Sequence, residues 1–210
     1  MHATIETLTD AAPKRLTARK WRPVDIIVAA VLGIAIGVVY WLWDTPGYAW
    51  YGAADALTPG LGGVANGGWL LAGVVGALVI RKPGAAIFVE LLAAVVEMGI
   101  GEQWGITTVY SGLAQGAFIE LIFAIFLYRR FNVGVAMLAG AAGGFGEWAL
   151  ELFFFGNLAK SAAYNTIYLV SSAASGAVLA GFVGWLVVRA LAATGALDRF
   201  ASGRAAKARV

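Results

Sequence analysis

The chain has 210 residues, 60% hydrophobic and only 13% charged, with a net charge of +3 and a mean hydropathy of +0.79. Charged residues make up about a quarter of a soluble domain, so this composition excludes a soluble globular fold and makes the bilayer the solvent for most of the chain. Cysteine is absent and the single histidine, His2, lies in a polar tail, which excludes disulfides, thiolate metal sites and most zinc or Ser-His-Asp chemistry.

Residues 1–20 are polar and mixed in charge, and read as a disordered cytoplasmic tail with no signal-peptide cleavage pattern. Residues 21–190 read as an all-α, polytopic membrane domain of six transmembrane helices, and 191–210 as a second cytoplasmic tail. The six apolar runs are 24–43, 62–80, 84–100, 107–128, 133–154 and 165–188, each near the ~20 residues that cross a bilayer as a helix. The third is the shortest. Loops are expected at 44–61, 81–83, 101–106, 129–132 and 155–164. The first loop, "DTPGYAWYGAADALTPGL", is rich in turn residues and aromatics, and is expected to form a lid over an outward-facing cavity or an interfacial aromatic belt.

The basic residues set the orientation. Lys14, Arg15, Arg19, Lys20 and Arg22 precede the first run, Arg81 and Lys82 follow the second, Arg129 and Arg130 the fourth, and Arg189, Arg199, Arg204, Lys207 and Arg209 the sixth. That places 14 of the 15 on one side and leaves Lys160 alone on the other. Cytoplasmic loops carry the excess of Lys and Arg, so both termini are expected in the cytoplasm. Positive charge spread over loops and tails in this way is also no footprint for nucleic acid.

The apolar runs contain Glu90, Glu97, Gln115, Glu120, Glu147 and Glu151, and no Lys, Arg or His. A carboxylate at a helix centre costs about 2.5–3.5 kcal/mol on insertion scales, so five are expected to serve a purpose. Glu90 and Glu97 share a helix face about 10 Å apart along the axis, and Glu147 and Glu151 share a face one turn apart. With no internal cation, these acids must be protonated, hydrated in a cavity or paired with a cation from outside. Trp69, Trp104, Tyr110, Trp148 and Tyr164 are placed to line an outer half. Carboxylates among aromatic rings suit a flat cationic or amine-bearing ligand, through charge-assisted hydrogen bonds and cation–π attraction. No metal or cofactor is implied.

Two stripes of small residues recur every four positions: Ala29, Gly33 and Gly37 in the first run, and Ser172, Gly176, Ala180 and Gly184 in the sixth. Such stripes let backbones approach closely. The sixth is expected to pack inside the chain, and the first to dock a partner subunit. No "GxxxxGK[ST]" is present, so any ATP-driven engine lies on another chain.

Several motifs carry a family resemblance: "RKPGAA" at 81–86, Glu90 with Ala93, Ala94 and Glu97, Gln115–Gly116 with Glu120, the small-residue pattern at 175–184, and "TGALDRFASGR" at 194–204, with "VVY" at 38–40 and Trp69. With six spans and cytoplasmic termini, the chain resembles the substrate-binding S component of an energy-coupling-factor (ECF) vitamin transporter, and more narrowly the YkoE family, linked to thiamine and its hydroxymethylpyrimidine precursor. The resemblance implies an S-component bundle in the bacterial plasma membrane, an outward-opening ligand cavity, and a transmembrane T component with two ABC-type ATPases as partners. It implies a non-enzymatic subunit that holds the ligand with Glu90, Glu97, Gln115, Glu120, Glu147, Glu151, Trp69, Trp104, Tyr40 and Tyr164. The alternative is a stand-alone proton- or cation-coupled carrier using the same glutamates. An intramembrane hydrolase lacks the nucleophile or metal set it needs.

Overall fold

The computed structural model describes residues 20–203. Six long helical elements follow one another among them: α1 Pro23–Leu57, α2 Leu61–Ile80, α3 Ala85–Ile100, α4 Ile106–Ile125, α5 Val133–Phe154 and α6 Ala162–Ala193. Each expected apolar run is therefore a helix. All but α3 are long and apolar enough to cross a bilayer, and α3 has only 16 residues.

Two of these helices are irregular. α2 opens as a 3₁₀-helix over Leu61–Leu70 and becomes α-helical from Leu71. α6 contains a π-helical stretch, Gly176–Val183. Backbone groups released by such irregularities need partners where there is no water; two serines of α6 supply them, and a third holds a side chain of the 3₁₀ segment. Ser171 Oγ donates to the Gly60 carbonyl (3.0 Å). Ser175 Oγ donates to the Val64 carbonyl (2.5 Å) and accepts from the Gly67 amide (3.0 Å). Ser172 Oγ accepts from Asn66 Nδ2 (3.0 Å). The glycines of the 3₁₀ segment make this approach possible: a Cβ on Gly67 would fall 2.3 Å from the Ser175 carbonyl oxygen.

The helices α1, α3, α4, α5 and α6 pack side by side in that order, and α2 fills the middle. Accordingly 78% of the α2 span is buried, against 22–39% for the other spans. The outer faces of α1 and α6 carry exposed Ile, Leu and Val, which is the pattern of helices solvated by lipid.

The first small-residue stripe is used differently from the expectation. Ala29, Gly33 and Gly37 are buried within the chain. A Cβ on Gly33 would meet Leu92, and one on Gly37 would fall 2.6 Å from the Ala93 carbonyl oxygen. This stripe is the α1–α3 contact, so it is not available to dock a partner subunit. The α6 stripe packs inside the chain as expected, with Gly176 so close to Gly140 that a Cβ on either would lie 2.1 Å from the other's carbonyl oxygen.

The expected loop at 44–61 is also corrected, because α1 continues as a helix through Leu57. Pro46 and Gly47 look like a turn in sequence, but membrane helices tolerate proline when their surroundings satisfy the freed backbone. Gly47 makes room for the Trp43 indole, which would lie 2.4 Å from a Cβ there. The true turn is Thr58–Gly60, where Gly60 takes φ 95° and donates its amide to Asp55 (2.7 Å).

At the end bearing Arg81 and Lys82, three segments are stapled together. Asp25 is fully buried and pairs with Arg22 (2.7 Å) and with Lys82. Lys82 also donates to the Lys20 carbonyl (2.5 Å), and Trp21 Nε1 to the Pro83 carbonyl (2.9 Å). The chain after α6 returns to the same place: Leu197 and Phe200 are buried, Ser202 donates to the Val79 carbonyl (3.3 Å), and Arg22 lies over the Phe200 ring. The tail expected from 191 is thus packed on the body as far as it is described, whereas the tail expected at 1–20 lies outside the described residues except for Lys20.

Candidate functional site

A cavity of about 290 Å³ opens at the opposite end of the bundle, toward the segments 101–105 and 155–160. Small-molecule pockets span roughly 300–1,000 Å³, so this one suits a compact ligand. Tyr40, Tyr48 and Tyr51 line it from α1, Asn66 and Trp69 from α2, and Glu90, Ala94 and Glu97 from α3. Thr107, Thr108, Ser111 and Gln115 line it from α4, and Glu147 and Glu151 from α5. Trp104, Phe155, Asn157 and Lys160 stand on the connecting segments at its mouth.

The floor is built around Glu90, which is fully buried. The first amides of the α-helical half of α2 have no carbonyls to bond one turn back. Glu90 Oε2 accepts from the Gly73 amide (2.5 Å), and Tyr40 OH accepts from the Ala72 amide (2.7 Å) while donating to Glu90 Oε1 (2.9 Å). Glu90 and Tyr40 therefore cap the helix where it changes from 3₁₀ to α, and both carboxylate oxygens are engaged before any ligand arrives.

One wall carries Glu97, 2% exposed, which faces Asp44 of α1. Asp44 Oδ1 accepts from Trp69 Nε1 (2.9 Å), and the Asp44 and Glu97 carboxyl groups lie within hydrogen-bonding reach of each other. Trp69 and Trp104 meet edge to face (5.9 Å), and Trp104 meets Tyr48 in the same way (5.9 Å). Tyr48 stacks on Tyr51 (6.1 Å). The wall on α5 carries Glu147 and Glu151, one turn apart and within reach of each other. Gln115 Nε2 donates to Glu147 (2.7 Å), Ser111 Oγ donates to it more distantly (3.4 Å), and Asn157 Nδ2 donates to Glu151 (3.1 Å).

Of the ten residues expected to hold ligand, eight line this cavity: Glu90, Glu97, Gln115, Glu147, Glu151, Trp69, Trp104 and Tyr40. Glu120 does not. It lies at the basic end, where its two oxygens accept from the Gly84 and Ala86 amides (2.6 and 2.8 Å) and from Tyr128 OH (2.7 Å). It caps α3, because the "KPG" turn leaves those amides free. Tyr164 stands behind the mouth, stacked on Tyr168 (5.9 Å), accepting from Lys160 Nζ (2.8 Å) and within 3.4 Å of Tyr51 OH. Tyr110 packs on Phe154 and Trp148 on Phe145, both away from the cavity. Sequence reasoning did not single out Tyr48, Tyr51, Asn66, Thr108, Ser111, Asn157 and Lys160 as site residues. Lys160 alone carried a signal, as the one basic residue on its side of the membrane. Among the described residues no group of three acidic or imidazole side chains is arranged to hold a metal ion.

A helical bundle wrapped round one ligand-sized polar cavity defines a substrate-binding membrane subunit, and the comparisons give the same class. A solved structure described as "Crystal structure of an S-component of ECF transporter" superimposes with a TM-score of 0.77 at 31% identity, covering 90% of this chain and 95% of that one. The family model "ABC-type cobalt transport system, permease component" matches residues 24–146. The protein named "Putative HMP/thiamine permease protein YkoE" of Bacillus subtilis (strain 168) is 34% identical over 193 residues, 90% of this chain and 94% of that protein. The chain belongs to the YkoE family of ECF-transporter S components. It is a multi-pass protein of the bacterial plasma membrane and a transport subunit, not an enzyme.

Proposed function

We propose that the chain captures thiamine or its hydroxymethylpyrimidine precursor from outside the cell, as the S component of an ATP-driven ECF importer. A transmembrane T component and two ABC-type ATPases complete that machine, since this chain has no phosphate-binding loop of its own. The cavity end faces outward, and the end carrying Arg81, Lys82, Arg129 and Arg130 faces the cytoplasm.

One observation carries this reading. Four carboxylates, Glu90, Glu97, Glu147 and Glu151, stand on one aromatic-lined cavity whose only basic lining residue, among the described residues, is Lys160, at its mouth. Lys160 is itself held 4.0 Å over the Tyr164 ring. The acids that do not cap helices are left for a ligand that brings its own positive charge or amino group. Thiamine offers a thiazolium and an aminopyrimidine; hydroxymethylpyrimidine offers the second alone. Trp69, Trp104 and Tyr48 supply π faces for either ring.

Calorimetry of thiamine and hydroxymethylpyrimidine on the purified chain in detergent tests this directly. Tight binding without partner proteins is expected. Glu147→Gln is expected to weaken thiamine tenfold or more, because a hydrogen bond to a charged group contributes about 1.5–3 kcal/mol. Absence of binding by either compound sinks the assignment. Thiamine uptake by vesicles holding this chain without any ATPase would favour the stand-alone carrier instead.

A further inference from the structure

The basic residues at the end opposite the cavity are not equivalent. Asp25 takes Arg22 and Lys82, and these are the ion pairs found among the described residues. Arg81 spends its guanidinium on the Leu78 and Ala201 carbonyls (3.1 and 3.3 Å). Arg129, Arg130 and Arg189 are exposed and have no carboxylate partner among the described residues. Two of these three are nonetheless held in place. Arg189 lies 4.7 Å over the Trp185 ring, and Arg130 lies 6.0 Å from the centre of the Phe126 ring. A guanidinium stacked on a ring keeps its planar fork of donors and loses less freedom when that fork is used. The turn that carries Arg130 is itself fixed. Leu127 and Tyr128 both take left-handed φ (53° and 55°), which non-glycine residues rarely adopt, and Tyr128 OH donates to Glu120 (2.7 Å).

Register and exposure bring these arginines to one level. α5 and α6 run antiparallel, with Gly144 against Ser172, Gly140 against Gly176 and Met137 against Gly181. Continued toward the basic end, this register sets Arg129 and Arg130 opposite the last turns of α6, where Arg189 stands. On α6, Val178, Phe182 and Leu186 form an exposed stripe on successive turns, and Arg189 is the next position along it. On α4, the exposed Leu113, Leu121 and Ile125 lead to Arg129 and Arg130 in the same way. The cations therefore stand where the lipid-facing surface meets the headgroups.

We propose that Arg130 and Arg189, with Arg129 beside them, form a binding site for the phosphate headgroup of an anionic phospholipid of the cytoplasmic leaflet. Arginine forks match the geometry of phosphate oxygens, and basic residues at the inner surface of a membrane draw anionic headgroups. A zwitterionic lipid brings its own cation, which these arginines repel, so the site favours a net negative headgroup. The leaflet follows from the proposed orientation. The site itself does not depend on what fills the outer cavity.

The test is native mass spectrometry of the full chain in nonionic detergent, titrated with phosphatidylglycerol and, separately, with phosphatidylcholine. Phosphatidylglycerol is expected to bind about tenfold more tightly, with an advantage that shrinks in high salt. Arg130→Gln combined with Arg189→Gln is expected to bring the two lipids to equal affinity. Arg130→Lys combined with Arg189→Lys is expected to keep part of the preference, because it keeps the charge and loses the fork. These side chains are exposed, so the lipid-free unfolding midpoint of both variants is expected to stay unchanged. Equal affinity of the two lipids for the unmodified chain overturns the site, and so does a glutamine variant that keeps the preference. If that variant keeps the preference but no longer co-purifies with the proposed T component and ATPases, the surface is a protein interface instead. None of these results touches the proposed transport function, which thiamine calorimetry tests by itself.

Discussion

Two of the membrane-embedded glutamates that look alike in sequence do different work, and hydrogen bonding separates them. Glu90 spends both oxygens on Tyr40 and the Gly73 amide, whereas Glu147 has only side-chain partners, Gln115 and Ser111 of α4 and Glu151 one turn along α5. Tyr40→Phe leaves the buried Ala72 amide and one Glu90 oxygen without partners. It is expected to lower stability by about 1–3 kcal/mol, read as a fall in the thermal unfolding midpoint in detergent. Glu147→Gln, in contrast, is expected to leave the ligand-free midpoint nearly unchanged while lowering affinity; equal losses of stability in the two variants would erase the distinction drawn here. The presence of buried acids was legible in the sequence, from a charge inventory with no matching cations. The role of each was not, because a cap depends on which amides are free. Glu120 shows this: its spacing from Gln115 places it in the same helix, but its backbone partners are the amides of Gly84, in the "KPG" turn, and Ala86, at the start of α3, 36 and 34 residues away.

At the scale of the element, the length of the apolar runs located every helix but not where α2 and α6 depart from regular α geometry. A 3₁₀-helix has three residues per turn, so positions i and i+3 eclipse. Asn66 and Trp69 therefore fall in one row and both line the cavity. A regular α-helix separates them by about 60° at 3.6 residues per turn, which hid Asn66. The glycines explain how α2 can sit against α6 at all. Gly67→Ala is expected to be severely destabilising, since the new methyl would fall 2.3 Å from backbone oxygen and packed interiors yield little. Gly52→Ala, in α1 with nothing within 4 Å of the added carbon, is expected to be neutral or to stabilise by roughly 0.5–1 kcal/mol. Expression level and unfolding midpoint of the two variants, measured side by side, check the contrast. The missed length of α1 has a similar origin: Asp44, Pro46 and Gly47 carry turn propensity, but packing of Trp43 against Gly47 and Gly68 overrides it.

For the whole molecule, orientation is a prediction that the absence of cysteine makes simple to test. Leu158→Cys, exposed beside the cavity mouth, is expected to react with a membrane-impermeant thiol reagent on intact cells. Arg129→Cys is expected to react only after the membrane is opened. The reverse pattern would invert the proposed direction of transport. A second consequence concerns the length of α3. Its 16 residues rise about 24 Å at 1.5 Å per residue, short of the ~30 Å hydrocarbon core. With its basic end at the cytoplasmic surface as proposed, its other end and the 101–105 segment that follows, at the entrance to the cavity, are expected to fall about 6 Å short of the far edge of that core. Hydrophobic mismatch of this kind costs fractions of a kcal/mol per Å and is relieved by local thinning of the bilayer. Ligand capture is thus expected to depend on the lipid itself. In nanodiscs of increasing acyl length the association rate for thiamine is expected to fall while detergent-measured affinity stays fixed, so the thickness of the host membrane acts as a setting on how readily the site meets water.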